Sequence, residues 1–364
     1  MEDVGTVLIA GASGVVGHAA ATRFTAAGHK VLGLSRRTPA LPAPGADYLA
    51  LDLLDRDACM AAAEAHFANV THIVYAAVNE TPGDLIASWT DKEHSARNGR
   101  MIEYLLAPFE RRKGRLRHVS IVHGTKAYGL MHYDRLPIPL RETLPRPPFD
   151  EFYFRQEDAA YAFEQKTGVP WTVLRAQLIA GGGAGGNLNG LLALAVYAAL
   201  HRAKGQTLAM PIAAQKDKIF EITDAELLGD ALVWAAQAPV ARNRTFNVTN
   251  GDVASWPDIF QVVAEYFGLE LESPSEVTIA GKINEMAAAW ARLVAEQGLV
   301  APSDVHEFLG ESAVLSDFSM EGAKSCVTST IAIRCAGFHT YLDSADCMRK
   351  WFDRWQAEKL LPRR

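Results

Sequence analysis

Short apolar runs and longer helical runs alternate through the first half of the chain. Thr6 to Ala10 (TVLIA) is the first apolar run; GASGVVG follows, and then HAAATRFTAAG, which closes on Gly28. Further β-rich runs are KVLGLSR (Lys30 to Arg36), YLALDLLD (a strand ending near Asp52), THIVYAAV, LRHVSIVHG and WTVLRAQLIAG from Trp171. Between them, Asp57 to Phe67, Glu93 to Phe109 and Glu157 to Lys166 read as helices. A short continuous apolar run is the signature of a strand buried on both faces. Strands and helices alternating at this rhythm predict an α/β protein with a Rossmann-like, doubly wound parallel sheet.

The pattern changes after the WTVLRAQLIAG run and becomes mostly helical. Phe246 to Asp252 (FNVTNGD) reads as a late strand and turn, and Ile283 to Gln297 as one amphipathic cap helix carrying Met286 and Trp290. The expected organisation is a cofactor-binding core over 1–180 that also carries the catalytic groups. A mixed, mainly helical region over 181–364 shapes the substrate pocket and returns late strands to the core. The length of 364 residues suits that division, since domains average about 150 residues.

The first chemical signal is Gly11, Gly14 and Gly17, a GxxGxxG between the first strand and the first helix. Glycine there permits a tight turn and lets backbone N–H groups and the helix N-terminus approach a pyrophosphate. Gly11, Ser13, Gly14, Val15 and Gly17 are therefore expected to bind a dinucleotide. An NAD enzyme places a carboxylate at the end of the second strand for the ribose hydroxyl. This chain has Ser35, Arg36 and Arg37, whose guanidinium groups suit a 2′-phosphate. NADP(H) is the predicted cofactor, with Asp52 and Leu53 near the adenine and Ala77 and Val78 near the ribose and nicotinamide.

Composition narrows the class. Hydrophobic residues make up 49% and charged residues 21%, and the net charge is −6. A globular protein without nucleic acid as its main partner is expected. The longest apolar stretch, Leu191 to Leu200, is shorter than the ~20 residues that span a bilayer. The acidic opening Met1-Glu2-Asp3 is unlike a signal peptide, so a cytoplasmic protein without membrane partners is expected. Cys59, Cys326, Cys335 and Cys347 form no CxxC pair, and His118 and His123 sit on opposite faces of one strand, so neither disulfide framework nor metal site is expected. A homodimer is compatible with these features but not specified by them.

Reductases of this fold commonly carry YxxxK on one helix, where the lysine lowers the tyrosine pKa. No tyrosine here has lysine four residues later. Instead HGTKAYG places Lys126 at the C-terminal end of the fifth strand, where doubly wound sheets bind ligands. EFYFRQED, Glu151 to Asp158, follows at a helix start.

These two segments resemble the progesterone 5β-reductase/iridoid synthase-like family of atypical extended short-chain dehydrogenase/reductases. The chain is similar to a bacterial-type member. That family carries its lysine in a TGxKHY-like segment and its tyrosine in NFYYxxED. GASGVVG, LSRRTP, ALDLLD, FNVTNGDVASWPDIF and the closing CMRKWFDRWQ extend the resemblance over most of the chain. The resemblance implies Lys126 and Tyr153 as the catalytic pair, both also beside the cofactor, with Ile179 beside the nicotinamide. It implies NADPH-dependent 1,4-reduction of an α,β-unsaturated carbonyl, a small-molecule enone or enal. Tyr153 would stabilise the enolate with Lys126 supporting it. The glycine-rich run 181–186 is expected to wall the substrate site near the nicotinamide. Departures from the family are Glu151 for its Asn, Phe154 for its second Tyr, Ala127 for its His, and His123-Gly124 for its Thr-Gly. An NADPH-dependent carbonyl reductase would use the same pair, and a non-catalytic NADP-sensing protein usually loses one member of it. Tyr128 is expected to pack structurally, and the role of His123 is left open.

Overall fold

The computed structural model describes residues 5–39, 41–81, 83–111, 114–182, 188–215, 218–322 and 324–363. Its strands are β1 (Thr6–Ala10), β2 (Lys30–Ser35), β3 (Ala46–Ala50), β4 (Val70–Tyr75), β5 (His118–Gly124), β6 (Trp171–Ala176), β7 (Ile179–Ala180), β8 (Thr223–Asp224) and β9 (Arg244–Val248). The helices of the core are α1 (Val15–Ala26), α2 (Arg56–His66), α3 (Leu85–Ser88), α4 (Lys92–Glu110), α5 (Phe152–Thr167), α6 (Gly190–Ala203) and α7 (Ala225–Gln237). Then come α8 (Trp256–Phe267), α9 (Ile279–Glu285), α10 (Ala287–Gln297), α11 (Val305–Leu309), α12 (Ser312–Glu321), α13 (Ile331–Cys335) and α14 (Ser344–Ala357).

Seven strands form one sheet in the order β3-β2-β1-β4-β5-β6-β9, and every pairing is parallel. This is the Rossmann-like arrangement that the alternating pattern predicts. Helices α1 and α7 cover one face through Phe24, Leu228 and Leu232. On the other face α2, α4 and α5 bring Cys59, Ile102, Leu105 and Phe163. All residues of β4 are buried, as a central strand covered on both faces requires. A separate core under α6, α8, α10 and α14 buries Phe260, Trp290, Trp351 and Trp355. Among the described residues no helix is long and apolar enough to cross a membrane.

Three elements differ from their sequence expectations. The sixth run is not one strand: β6 ends at Ala176, and β7 leaves to pair with β8. Polar bonds draw it off the sheet, because the Gln177 backbone N–H donates to Thr223 Oγ1 (3.0 Å) and Gln177 Oε1 accepts from the Glu221 N–H (2.7 Å). Leu178 between them adopts φ +29°. The cap helix is two helices, α9 and α10, bent at Met286 so that Met286 and Trp290 are both buried. Helix α5 begins at Phe152, five residues before the expected Glu157, directly after extended Glu151. Tyr153 therefore lies in its first turn.

A polar row crosses the sheet near its C-terminal edge. His123 of β5, Arg175 of β6 and Asn247 of β9 stand opposite one another in register. Arg175 donates to Glu157 Oε1 of α5 (2.8 Å), and Arg146 donates twice to Glu157 Oε2 (3.0 and 2.8 Å). The Arg175 guanidinium also lies 4.8 Å from the Tyr128 ring, whose hydroxyl donates to Asn247 Oδ1 (2.6 Å). Asn247 Nδ2 donates to the Leu140 and Ser329 carbonyls (3.1 and 3.2 Å).

Burial opposes ionisation of Glu157, but its neighbour His123 and the hydrogen bond and charge of Arg175 outweigh it and hold the carboxyl at about 2. A depressed carboxyl stabilises the fold above its unfolded pKa and loses that contribution as pH falls through the folded one. The window here runs from about 4.5 down to about 2, and the contribution is on the order of 3 kcal/mol. Glu157→Gln leaves Arg175 buried without its counter-charge, at a cost of about 3–5 kcal/mol. Urea midpoints at pH 7, 4.5 and 3 check both statements: the variant should start lower and depend less on pH than the parent.

Candidate active site

The glycine turn is built by close approach. Gly11 adopts φ +84°, and a Cβ there would meet the Ala76 carbonyl oxygen at 2.7 Å. Its N–H and that of Ala12 donate to the Leu34 carbonyl (2.9 and 3.1 Å), tying the turn to the end of β2. A Cβ at Gly17 would lie 2.1 Å from the Gly11 carbonyl oxygen, so only glycine lets α1 start this near β1. Gly14 is the extended N-cap of α1, which has no side-chain cap and no acidic residue in its first turn. A helix start left bare in this way has N–H groups free for an anion. Ser13 is half-buried beside it, and Val15 is buried as the first residue of α1.

At the end of β2 the Ser35 hydroxyl donates to the Arg37 carbonyl (2.5 Å), while Arg36 and Arg37 are exposed. Neither forms an ion pair among the described residues. Asp52 is exposed, and its Oδ1 accepts from the Leu54 N–H (2.9 Å); Leu53 turns its side chain into the core. Ala77 is buried and Val78 half-buried just beyond β4, where the Ala76 N–H donates to the Ala10 carbonyl (3.0 Å). The bare helix start, the glycine cradle and two unpaired guanidinium groups at neighbouring strand ends fit a nicotinamide dinucleotide.

The catalytic candidates meet one strand further along. Lys126 sits in a 3-10 turn, Thr125–Tyr128, directly after β5. Its Nζ lies 4.2 Å from the Trp89 ring centroid, 4.6 Å from Phe152 and 5.4 Å from Tyr153. Tyr153 comes from α5 and packs its hydroxyl against Gly124, where an added Cβ would lie 3.2 Å from the phenol oxygen. The strand end and the helix start thus bring together two residues separated in sequence. Both are half-buried.

Two acidic groups surround this pair. Glu151 is buried at the N-cap of α5, and its Oε1 has no hydrogen-bond partner. Glu80 accepts from Trp89 Nε1 (3.0 Å) and lies 3.3 Å from His94 Nε2. Its loop is pinned to α4 by reciprocal bonds between Asn79 and Asn98 (2.8 and 3.2 Å). Removal from water pushes the Tyr153 phenol well above its ordinary value, Glu151 adds to that, and the Gly124 backbone opposes it. Removal from water lowers the Lys126 ammonium, against the attraction of Glu151 and Glu80. Burial likewise raises the Glu151 carboxyl, against Lys126. The phenol therefore keeps its proton at neutral pH and can donate it in a hydrogen bond to a developing oxyanion.

Other residues fall into place around the pair. Phe154, at the position of the family's second tyrosine, is buried under the Arg146 guanidinium, 5.2 Å from its ring. Ala127 is buried. Ile179 is half-buried in β7 and borders a small apolar cavity with Leu191, Leu194, Ile222 and Trp256. Gly181 and Gly182 pack against Trp351, whereas 183–187, the rest of the expected glycine-rich wall, lie outside the described residues. Trp89, Glu80 and His94 were not among the sequence candidates, because no motif marks the loop and the start of α4 that carry them. Arg175 and Asn247 could have been noticed as polar residues inside otherwise apolar strands.

Comparison with known proteins agrees with this architecture. A model of the NAD dependent epimerase/dehydratase family matches residues 7–249. The (S)-8-oxocitronellyl enol synthase of Nepeta racemosa is 30% identical over 98% of this chain and 92% of its own length. The 3-oxo-Delta(4,5)-steroid 5-beta-reductase of Arabidopsis thaliana is 28% identical over the same shares. In fold, the chain is similar to the UDP-glucose 4-epimerase of Thermus thermophilus in complex with NAD. That match has a TM-score of 0.66 at 16% identity and covers 96% of this chain and 99% of the other. With two thirds of its length matched by the family model and relatives similar to it over nearly the full chain, the chain belongs to the NAD dependent epimerase/dehydratase family, in its progesterone 5β-reductase/iridoid synthase-like branch.

Proposed function

We propose that this protein is an NADPH-dependent ene-reductase that reduces the C=C bond of an α,β-unsaturated carbonyl. The observation that carries the reading is the Tyr153 hydroxyl, kept protonated and seated against Gly124 beside the Lys126 ammonium. The names of the relatives, an enol synthase and a steroid 5β-reductase, support the same reaction class.

When bound, the cofactor supplies the hydride. The chain's own groups manage the charge that results. As negative charge builds on the carbonyl oxygen, Tyr153 donates a hydrogen bond to it, and the nearby Lys126 charge lowers its energy. Burial weakens that ammonium's hold on its proton, and Glu151 and Glu80 oppose the loss. A phenol with a raised pKa is a poor acid but a good donor, which suits holding an enolate while its α-carbon takes a proton from solvent. Arg36 and Arg37, exposed and without acidic partners among the described residues, favour a cofactor bearing a 2′-phosphate.

Product analysis with a simple enone tests the reading. A saturated ketone is expected; an allylic alcohol, or NADPH binding without turnover across an enone panel, overturns it. Tyr153→Phe removes the oxyanion donor and should lower kcat by about 100-fold or more, while NADPH affinity measured by calorimetry stays within about threefold. Arg36→Glu with Arg37→Glu removes charge-assisted bonds and adds repulsion. NADPH affinity should fall by roughly 100-fold with little change for NADH.

A further inference from the structure

Tyr153 must present its hydroxyl in one direction, yet a tyrosine in the first turn of a helix is free to swing about its side-chain bonds. Contacts on either side restrain it. The edge of Phe152 meets its ring at 4.4 Å and 62°. The face of His123 lies on it at 4.2 Å, with the ring planes only 22° apart.

The His123 ring is in turn hydrogen-bonded at one nitrogen and packed against a carboxylate at the other. Nε2 is 3.1 Å from Gln156 Oε1, and Nδ1 is 3.5 Å from Glu157 Oε1. Gln156 and Glu157 stand three and four residues after Tyr153, on the same face of α5. The imidazole therefore slots between the tyrosine and the next turn of its own helix. Glu157 is itself fixed by Arg175 and Arg146, which connects the arrangement to β6 and to the loop before α5. His123 is fully buried, and burial lowers its pKa despite Glu157. At neutral pH it contributes a flat, uncharged surface rather than a charge.

We propose that His123 is a positioning residue. Its imidazole, buried between Tyr153 and the Gln156–Glu157 turn of α5, is the platform that keeps the Tyr153 ring against Gly124, with the hydroxyl aimed at the substrate oxygen. The assignment rests on Tyr153 being the oxyanion donor of the proposed reaction. It accounts for a polar aromatic residue where the family carries threonine, and for an ion pair buried behind a site that it does not touch. Displacing a reacting group by about 1 Å can lower a rate about 100-fold, so the platform has a measurable effect without contacting substrate.

The test uses the full chain with 3-fluorotyrosine at position 153 and 2-cyclohexenone as the enone. His123→Ala should lower kcat by about 10- to 100-fold, with KM and NADPH affinity within about twofold. The ¹⁹F resonance should shift and broaden as the ring gains freedom. His123→Phe, which keeps the flat face, should retain kcat within about threefold and a single sharp resonance. If His123→Ala does not fold, His123→Leu replaces it with the same expectation. An unchanged kcat and resonance in the alanine or leucine variant overturns the proposal. So does a folded phenylalanine variant as impaired as alanine, because the ring nitrogens rather than its face would then matter. If the parent protein reduces no enone, the proposed reaction falls, while the fluorine spectra still decide whether His123 holds the tyrosine.

Discussion

A parallel sheet covered by helices on both faces leaves its polar chemistry one outlet, the rim where the strands end. The interior here obeys that constraint: β4 is buried at every position, and apolar side chains of β1 and β6 pack under the covering helices. The glycine turn follows β1, the arginine pair follows β2, and Lys126 follows β5. Each lies at or just past the C-terminal end of its strand. Helix N-termini arrive at the same rim, so the local field there already favours anions. Everything assigned to the site depends on this layering, which brings strand ends and helix starts together.

The His123–Glu157–Arg175 cluster lies just inside that rim, and its energetics differ from those of the apolar core. Taking a carboxylate and a guanidinium out of water costs several kcal/mol per ion. Close hydrogen bonding can offset that loss, and both Glu157 oxygens are occupied, one by Arg175 and the other by Arg146. A hydrophobic replacement of the same volume could match its stability. What it could not match is direction: the fork of Arg175 fixes the carboxylate beside which the imidazole packs. Glu221 works similarly elsewhere, accepting from Thr249 and twice from Thr328 to tie the late segment to the sheet.

Much of this was legible in the sequence. Five apolar runs became strands of the sheet with ends moved by at most a few residues, because an apolar run bounded by turn residues is a clear pattern even where, as in β3, the strand is only partly buried. The cofactor turn was legible because Gly11 and Gly17 have backbone geometry that other residues cannot share. Lys126 and Tyr153 required a resemblance, since their proximity comes from a strand end meeting a helix start rather than from helical spacing. Periodicity failed where polar bonds override it. The WTVLRAQLIAG run looks like one strand until Gln177 is diverted to Thr223 and Glu221. The helix bend at Met286 likewise follows from docking, which a smooth amphipathic pattern does not record. The surroundings of Lys126 were invisible because Trp89, Glu80 and His94 come from a loop and a helix without any motif.

The place of β9 at the edge of the sheet has a consequence for how the protein is made. Tyr128, two residues after Lys126, gives its hydroxyl to Asn247 across 119 positions of sequence. During synthesis the turn that carries Lys126 therefore emerges with a buried donor still lacking its acceptor, and β6 waits as an open edge. At about 5–20 residues per second, that state lasts on the order of ten seconds, until the late strand leaves the ribosome. The nascent chain thus spends an interval as an incomplete sheet with an exposed pairing edge, the form most in need of a chaperone.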